Sequence, residues 1–310
     1  MTNPVLVEVV RSGVVESVHR GALVVTAPDG EVRLELGDVR SPMYPRSANK
    51  PLQALGMLRA GLVFEGDDSV ENLALTCASH SGEPEHVKRV LTMLEAAGLT
   101  ENDLACPADY PLDESSKLAA PGPRKASMNC SGKHAGMLTT CVRANWPTES
   151  YEDPAHPLQQ VVKETVEEFT GEPIAATGVD GCGAPLFAFP LLGLARAFGR
   201  LVRDEEARPV ADAMRAHPWL VAGTGREDTA LMSAVDGLLA KGGAEGVQAF
   251  TLGDGTAVAF KFDDGQKRGA GPLALAVLRH LGVDTAGLDA LRGVVLGGGR
   301  PVGELRVVGL

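Results

Sequence analysis

The first forty residues alternate or run apolar as strands do. Val5 to Val10 (VLVEVV) opens the pattern, Gly21 to Ala27 (GALVVTA) is β-branched, and Val32 to Leu36 (VRLEL) sets apolar positions against Arg33 and Glu35. With the Asp29-Gly30 turn before the third run, a meander of two or three strands is predicted. The pattern changes at SPMYPRSANKPLQALGMLRAGL, where Pro51 suits a first helical turn but not a helix interior. A helix is therefore predicted from near Ser47 to Gly61. Val87, Val90, Leu91 and Leu94 recur at i, i+3, i+4 and i+7, predicting a helix from Pro84 to Ala97 that Gly98 ends. Another is expected from about Ala155 to Phe169, with Asp153 as its cap. Leu186 to Val202 reads as a buried helix kinked at Pro190, and shorter helices are expected at Glu205 to His217 and Glu227 to Ala240.

From Lys241 the strand pattern returns. GVQAFTL and TAVAFKF flank Asp254-Gly255, a hairpin signal, and Gly271 to Leu281 reads as a last buried helix. The order of strands, a helical middle (about 47–240) and further strands with a helix (about 241–310) predicts a single α+β domain over 1–310. Strands from both ends would share one antiparallel sheet against which the helices pack.

Composition narrows the class. The 310 residues are 44% hydrophobic, enough for a packed core, which excludes disorder. The 29 Lys+Arg against 40 Asp+Glu give a net charge of −11, which argues against nucleic acid or an anionic membrane as partner. A small polar substrate fits better. The first ten residues lack a basic start with a long apolar stretch, and no run approaches 18 apolar residues, so a cytoplasmic location is expected. Cys77, Cys106, Cys130, Cys141 and Cys182 are odd in number and irregularly spaced, so thiols, metal ligands or core fillers are expected rather than a disulfide framework.

Four stretches carry candidate chemistry. In Ser47-Ala48-Asn49-Lys50 a serine and a lysine three apart at a helix start lie on one face, where a neutral amine can activate a hydroxyl. The alternative for Ser47 is an N-cap alone. Lys241-Gly242-Gly243 opens the last strand pair, and S-x-x-K combined with K-T-G marks class A β-lactamases and penicillin-binding proteins. The alternative for Lys241 is a solvated lysine at a helix C-terminus. Met128 to His134 (MNCSGKH) and Val179 to Gly183 (VDGCG) bring two thiols and nitrogen donors that suit tetrahedral Zn²⁺, or simply two buried thiols. Cys77 to Glu83 (CASHSGE) presents Ser79 and Ser81 before the Pro84 helix, either as caps or as a second serine for a lysine partner. Cys77, Cys106 and Cys141 read as structural.

Together SANKPLQAL, CASHSGEPEHV, MNCSGKHAGML, GVDGCGAP and KGGAEGV resemble the thermolabile, Rhizobium-type (class 3) L-asparaginases, over about Val5 to Gly303. That resemblance implies a serine β-lactamase-like fold, hydrolysis of L-asparagine to L-aspartate and ammonia, and a homodimer. It implies one Ser–Lys pair of Ser47 with Lys50, and a second of Ser79 with Lys241, or less readily Lys261. Cys130, Lys133 and Cys182 would hold zinc with a water, and Asp180 would lie beside that site. Arg46 and His134 would help bind substrate, with Arg46 facing its α-carboxylate. Two other functions compete: a penicillin-recognising hydrolase or esterase using Ser47 and Lys50, with Ser127-Met128-Asn129 as its S-x-N box, and a non-catalytic zinc protein.

Overall fold

The structure is a computed structural model that describes residues 2–310. The chain begins with the predicted meander: β1 (Val5–Arg11), β2 (Val14–Thr26) and β3 (Val32–Leu36), followed by the short β4 (Pro42–Met43). A 3₁₀ turn, Arg46–Asn49, then runs directly into α1 (Lys50–Arg59), with Pro51 in its first turn. The helical middle comprises α2 (Ser69–Thr76), α3 (Pro84–Ala96), α4 (Glu114–Ala119), α5 (Ser131–Ala144) and α6 (Pro157–Thr170). After the strands β5 (Ala176–Val179) and β6 (Pro185–Pro190) come α7 (Leu191–Arg203), α8 (Arg208–Ala216), α9 (Pro218–Val221) and α10 (Glu227–Ala234). Strands β7 (Leu239–Gly242), β8 (Val247–Thr251) and β9 (Ala257–Phe262), helix α11 (Ala270–His280), and strands β10 (Val294–Gly297) and β11 (Arg300–Val307) complete the chain.

The main sheet runs β10-β11-β1-β2-β9-β8-β7, with β3 also on β2. Every pairing is antiparallel, with Val7 opposite Val307 and Val24 opposite Ala259. The two chain ends therefore interleave in one sheet, the α+β arrangement expected. One hydrophobic cluster runs from Leu6 and Val24 in the sheet to Leu138 and Val162 in the helices.

Helix α5 is buried from Ser131 to Cys141. It lies on α2 because Gly132 and Gly136 leave room there. A methyl group on Gly132 would sit 2.4 Å from the Leu75 carbonyl oxygen, and one on Gly136 would sit 2.6 Å from Thr76. The glycines of the MNCSGKHAGML run thus serve packing, and the contact brings that run up against the CASHSGE loop.

Three sequence expectations need correction. The helix expected over Leu186 to Val202 begins as strand: Leu186 to Ala188 pair with Gly178 to Ala176, Phe189 pairs with Met43, and the helix starts at Leu191. The residue before a proline disfavours the helical region, so Phe189 stays extended and Pro190, at ψ 147°, ends the strand as the N-cap of α7 instead of kinking a helix. The helix expected to reach Ala240 stops at Ala234, and Gly237, at φ +69°, turns the chain into β7. His156, whose ring accepts the Leu158 amide, caps α6, while Asp153 binds the Ala155 amide one turn earlier. Strands β10 and β11, beyond the last expected helix, went unpredicted.

Candidate active site

The Pro45–Ala48 turn is held from outside. A methyl group on Gly243, just past β7, would sit 2.5 Å from the Pro45 carbonyl oxygen and 3.2 Å from the Ala48 nitrogen, so only glycine lets that strand end approach. Arg46 occupies the left-handed region at φ +51°, a conformation costly for a side-chain-bearing residue. Ser47 follows it, half-buried. Ser47 is not a helix cap: Pro45 and Asn49 hold the cap positions of the turn and of α1.

Lys50 is 1% exposed, and its Nζ donates to the Ala78 carbonyl and to Ser79 Oγ at 3.0 Å. The hydrogen bonds of Lys50 thus go to Ser79, not to Ser47 as its spacing suggested. Ser79 is fixed by its neighbours. Its amide donates to the Val221 carbonyl at 2.9 Å, the Ser81 hydroxyl donates to the Ala222 carbonyl at 2.8 Å, and the His80 amide donates to the Asn129 carbonyl at 3.1 Å. Neither serine caps α3, where Glu83 takes the cap position. His80 Nδ1 accepts the Gly82 amide, so Nε2 carries the proton and donates to Ser131 Oγ at 2.9 Å; Ser131 in turn donates to the Ala126 carbonyl. Burial and the nearby His86, Lys50 and Arg226 hold His80 neutral, its pKa well below the usual value.

Lys241 is 1% exposed in β7, so the solvated-lysine reading fails. Its amine donates to the Gly242 carbonyl at 2.8 Å and lies 3.5 Å from Asp228 Oδ2. It makes no hydrogen bond to Ser79 among the described residues; that place is held by Lys50. Burial pushes Lys241 down to about 7, against the Asp228 carboxylate and with help from Lys50, Lys267 and Arg226. Lys261, the other candidate for Ser79, spends its amine on the Glu245 carbonyl at 2.8 Å and the Phe262 carbonyl at 3.3 Å.

A buried sulfur cluster adjoins this constellation. Lys133 Nζ lies 3.2 Å from Cys182 Sγ, and the Cys130 thiol, 2.9 Å from Asn129 Oδ1, also faces the Cys182 sulfur. The Cys130 thiol, with Lys133 and His134, holds Cys182 below the ordinary thiol range against burial. Cys130 moves up for the complementary reason, its proton held toward Cys182, and burial adds to it. For Lys133, burial favours the neutral amine, but Cys182, Cys130 and Asp180 outweigh it and raise the pKa.

His134 does not line an opening. It is wholly buried; Tyr151, which accepts the Ala105 amide, donates to His134 Nδ1 at 2.6 Å, which turns the ring's other nitrogen, Nε2, toward the Cys182 sulfur. Arg46 links the two halves of the site: its Nε donates to Asp180 Oδ1 at 2.8 Å, and Glu245 lies 3.7 Å from its guanidinium. An arriving carboxylate must share Arg46 with both acids.

Among the described residues no group of three or more His, Cys, Asp or Glu side chains is arranged to hold a metal ion. Two sulfurs and the Lys133 amine nonetheless make a donor set of the kind zinc favours, once the metal's charge displaces the Lys133 proton. Two residues escaped the sequence reading. Asp228 is an ordinary acid at a helix start in the sequence and becomes the partner of Lys241 only by folding. Asn49 is 1% exposed with neither polar side-chain atom bonded, a buried unsatisfied amide between Ser47 and Lys50.

A family model described as L-asparaginase II matches residues 7–307. No curated protein matches. Among solved structures, a β-lactamase from Mycobacterium bovis is 17% identical, covering 84% of this chain and 94% of its own, with a TM-score of 0.44. A hydrolase with promiscuous acyltransferase activity is 14% identical, covering 87% and 93%, with a TM-score of 0.43. A Bacillus glutaminase is 14% identical, covering 86% and 92%, with a TM-score of 0.37.

Proposed function

The chain belongs to the L-asparaginase II family, and from that premise we propose that it hydrolyses the side-chain amide of L-asparagine to L-aspartate and ammonia by serine–lysine catalysis. Membership makes it a hydrolase of small-molecule amides; the choice of asparagine is the finer reading. The observation that carries the mechanism is the buried contact of 3.0 Å between Lys50 and Ser79; a second buried lysine, Lys241, is pushed down to about 7 by burial.

Ser47 supplies the nucleophile, because its hydroxyl sits half-exposed on a strained turn while Ser79 is already engaged. Its oxygen bonds to the amide carbon as Lys241, two residues before the Gly243 that packs on this turn, takes its proton. Lys50 already donates to two oxygens, and Ser79 Oγ, accepting one of those bonds, keeps its own proton for the departing nitrogen. The carbon–nitrogen bond breaks and ammonia leaves as Lys50 restores the Ser79 proton; water then attacks the ester, its proton passing through Ser79 to Lys50 while Lys241 returns its proton to the departing Ser47 oxygen. Arg46, shared with Asp180 and Glu245, would receive the α-carboxylate.

Cys130, Cys182 and Lys133 are also proposed to hold zinc, whose charge would steady the neighbouring water or substrate. Metal analysis tests this: a zinc content near one per chain that falls in Cys182→Ser supports it, and metal-free active protein overturns it. A homodimer in the cytoplasm is the further expectation, checked by sedimentation against twice the 32.3 kDa chain mass; among the described residues no helix is long and apolar enough to cross a membrane. The chemistry itself is tested by labelling with a diazo-ketone analogue of asparagine. Adduct on Ser47 is expected. Adduct confined to Ser79 would reverse the roles of the two serines, and no adduct with no ammonia release would overturn the proposal.

A further inference from the structure

Behind the Ser47 turn, a buried carboxylate closes on the end of β7. Asp228 is 7% exposed, and its two oxygens accept the Gly242 amide at 3.0 and 2.9 Å. Oδ1 also accepts Gln248 Nε2 at 2.9 Å, and Oδ2 lies 3.5 Å from Lys241 Nζ. Room for this cluster depends on Gly242. A methyl group there would sit 2.7 Å from Gln248 Oε1 and 3.4 Å from both Asp228 Oδ1 and Lys267 Nζ. Burial works to neutralise Asp228, but Lys241, Lys267, the Gly242 amide and Gln248 outweigh it and keep the carboxylate charged.

A buried charge is retained at a cost unless it is paired and hydrogen-bonded. A brace for β7 alone would need only an acceptor, which a neutral amide provides. The charge has one evident recipient. The groups acting on Lys241 are Lys50, Lys267 and Arg226, all cations, and Asp228, the anion that opposes them. Without Asp228, burial and three cations would leave Lys241 a much weaker base.

We propose that Asp228 is a positioning residue for catalysis: it anchors the end of β7 through the Gly242 amide and, through its charge, keeps Lys241 oriented and basic enough to take a proton. This rests on the reading of Lys241 as the base. The sign is fixed by the chemistry. An anion beside an ammonium favours the protonated form, so removing the charge lowers the pKa of Lys241.

The test is the pH dependence of kcat/KM for ammonia release from asparagine. Wild type is expected to gain activity as pH rises through about 7. Asp228→Asn keeps an acceptor for the Gly242 amide, and is expected to move that acid limb down by about one pH unit or more while lowering the alkaline plateau. Asp228→Glu, which keeps the charge, should leave the limb in place. Lys267 is exposed, so Lys267→Met tests the same cluster without threatening the fold; loss of a cation should move the limb up. A limb that stays fixed in Asp228→Asn, or in Lys267→Met should the first variant not fold, would overturn the inference. A limb and full activity that survive in Lys241→Met would instead overturn the role of Lys241.

Discussion

Lys50 and Lys241 are both 1% exposed, yet their partners give them opposite chemistry. Lys50 donates to a carbonyl and a hydroxyl, an arrangement for holding and delivering a proton; Lys241, pushed to about 7, is arranged for taking one. Activity should therefore be low below pH 6 and rise through pH 7, which a pH–rate profile checks. A flat profile from pH 5 to 9 would contradict it. Ser79→Ala removes the proton relay but not the nucleophile, so a loss of about 10²–10⁴-fold in kcat is expected. The residues themselves were legible in the sequence; their pairing was not. Spacing of i and i+3 reports only that Ser47 and Lys50 share a face, whereas the hydrogen bond goes to Ser79, 29 residues away, which only packing brings into reach. Asp228 was invisible for the same reason.

At the scale of elements, periodicity served well where one face met the core and failed where proline or tertiary contact decided. The helix at α3 and the hairpin of β8 and β9 lie within a residue or two of their predicted places. Helix α5 was not anticipated, because burial from Ser131 to Cys141 erases the polar face that a periodic pattern needs. Its polar residues read instead as a reactive loop. Gly132 is the sensitive point in that element, since the Leu75 backbone cannot move away from an added methyl group. Gly132→Ala is expected to destabilise the protein by about 1–3 kcal/mol, measured by denaturant unfolding, and to lower activity by disturbing Lys133 and the Ser79 loop. An unchanged midpoint would mean that α2 and α5 can separate freely.

The whole molecule depends on sharing one sheet between its ends. Strand β1 is flanked by β2 and by β11, so the sheet cannot be completed until residues 300–307 arrive. The clue was there in strand patterns at both ends, although β10 and β11 carried too few alternating positions to be recognised. Deleting residues 294–310 would bare the β1 edge beside buried Val7 and Val9, and aggregation with loss of activity is expected. Soluble, active truncated protein would show that the terminal strands are dispensable. The net charge of −11, which first pointed away from polyanions, matters little at the site, where a small zwitterion needs only a local cation such as Arg46.

The central claim is that Ser47 attacks the asparagine amide, and one measurement tests it most directly: ammonia release from L-asparagine by wild type and Ser47→Ala, with L-glutamine as the competing substrate. Wild type should release ammonia from asparagine well above glutamine, and Ser47→Ala should lose about a thousandfold or more of kcat while remaining folded. Full activity in Ser47→Ala, or no release from asparagine by the wild-type protein, would contradict it.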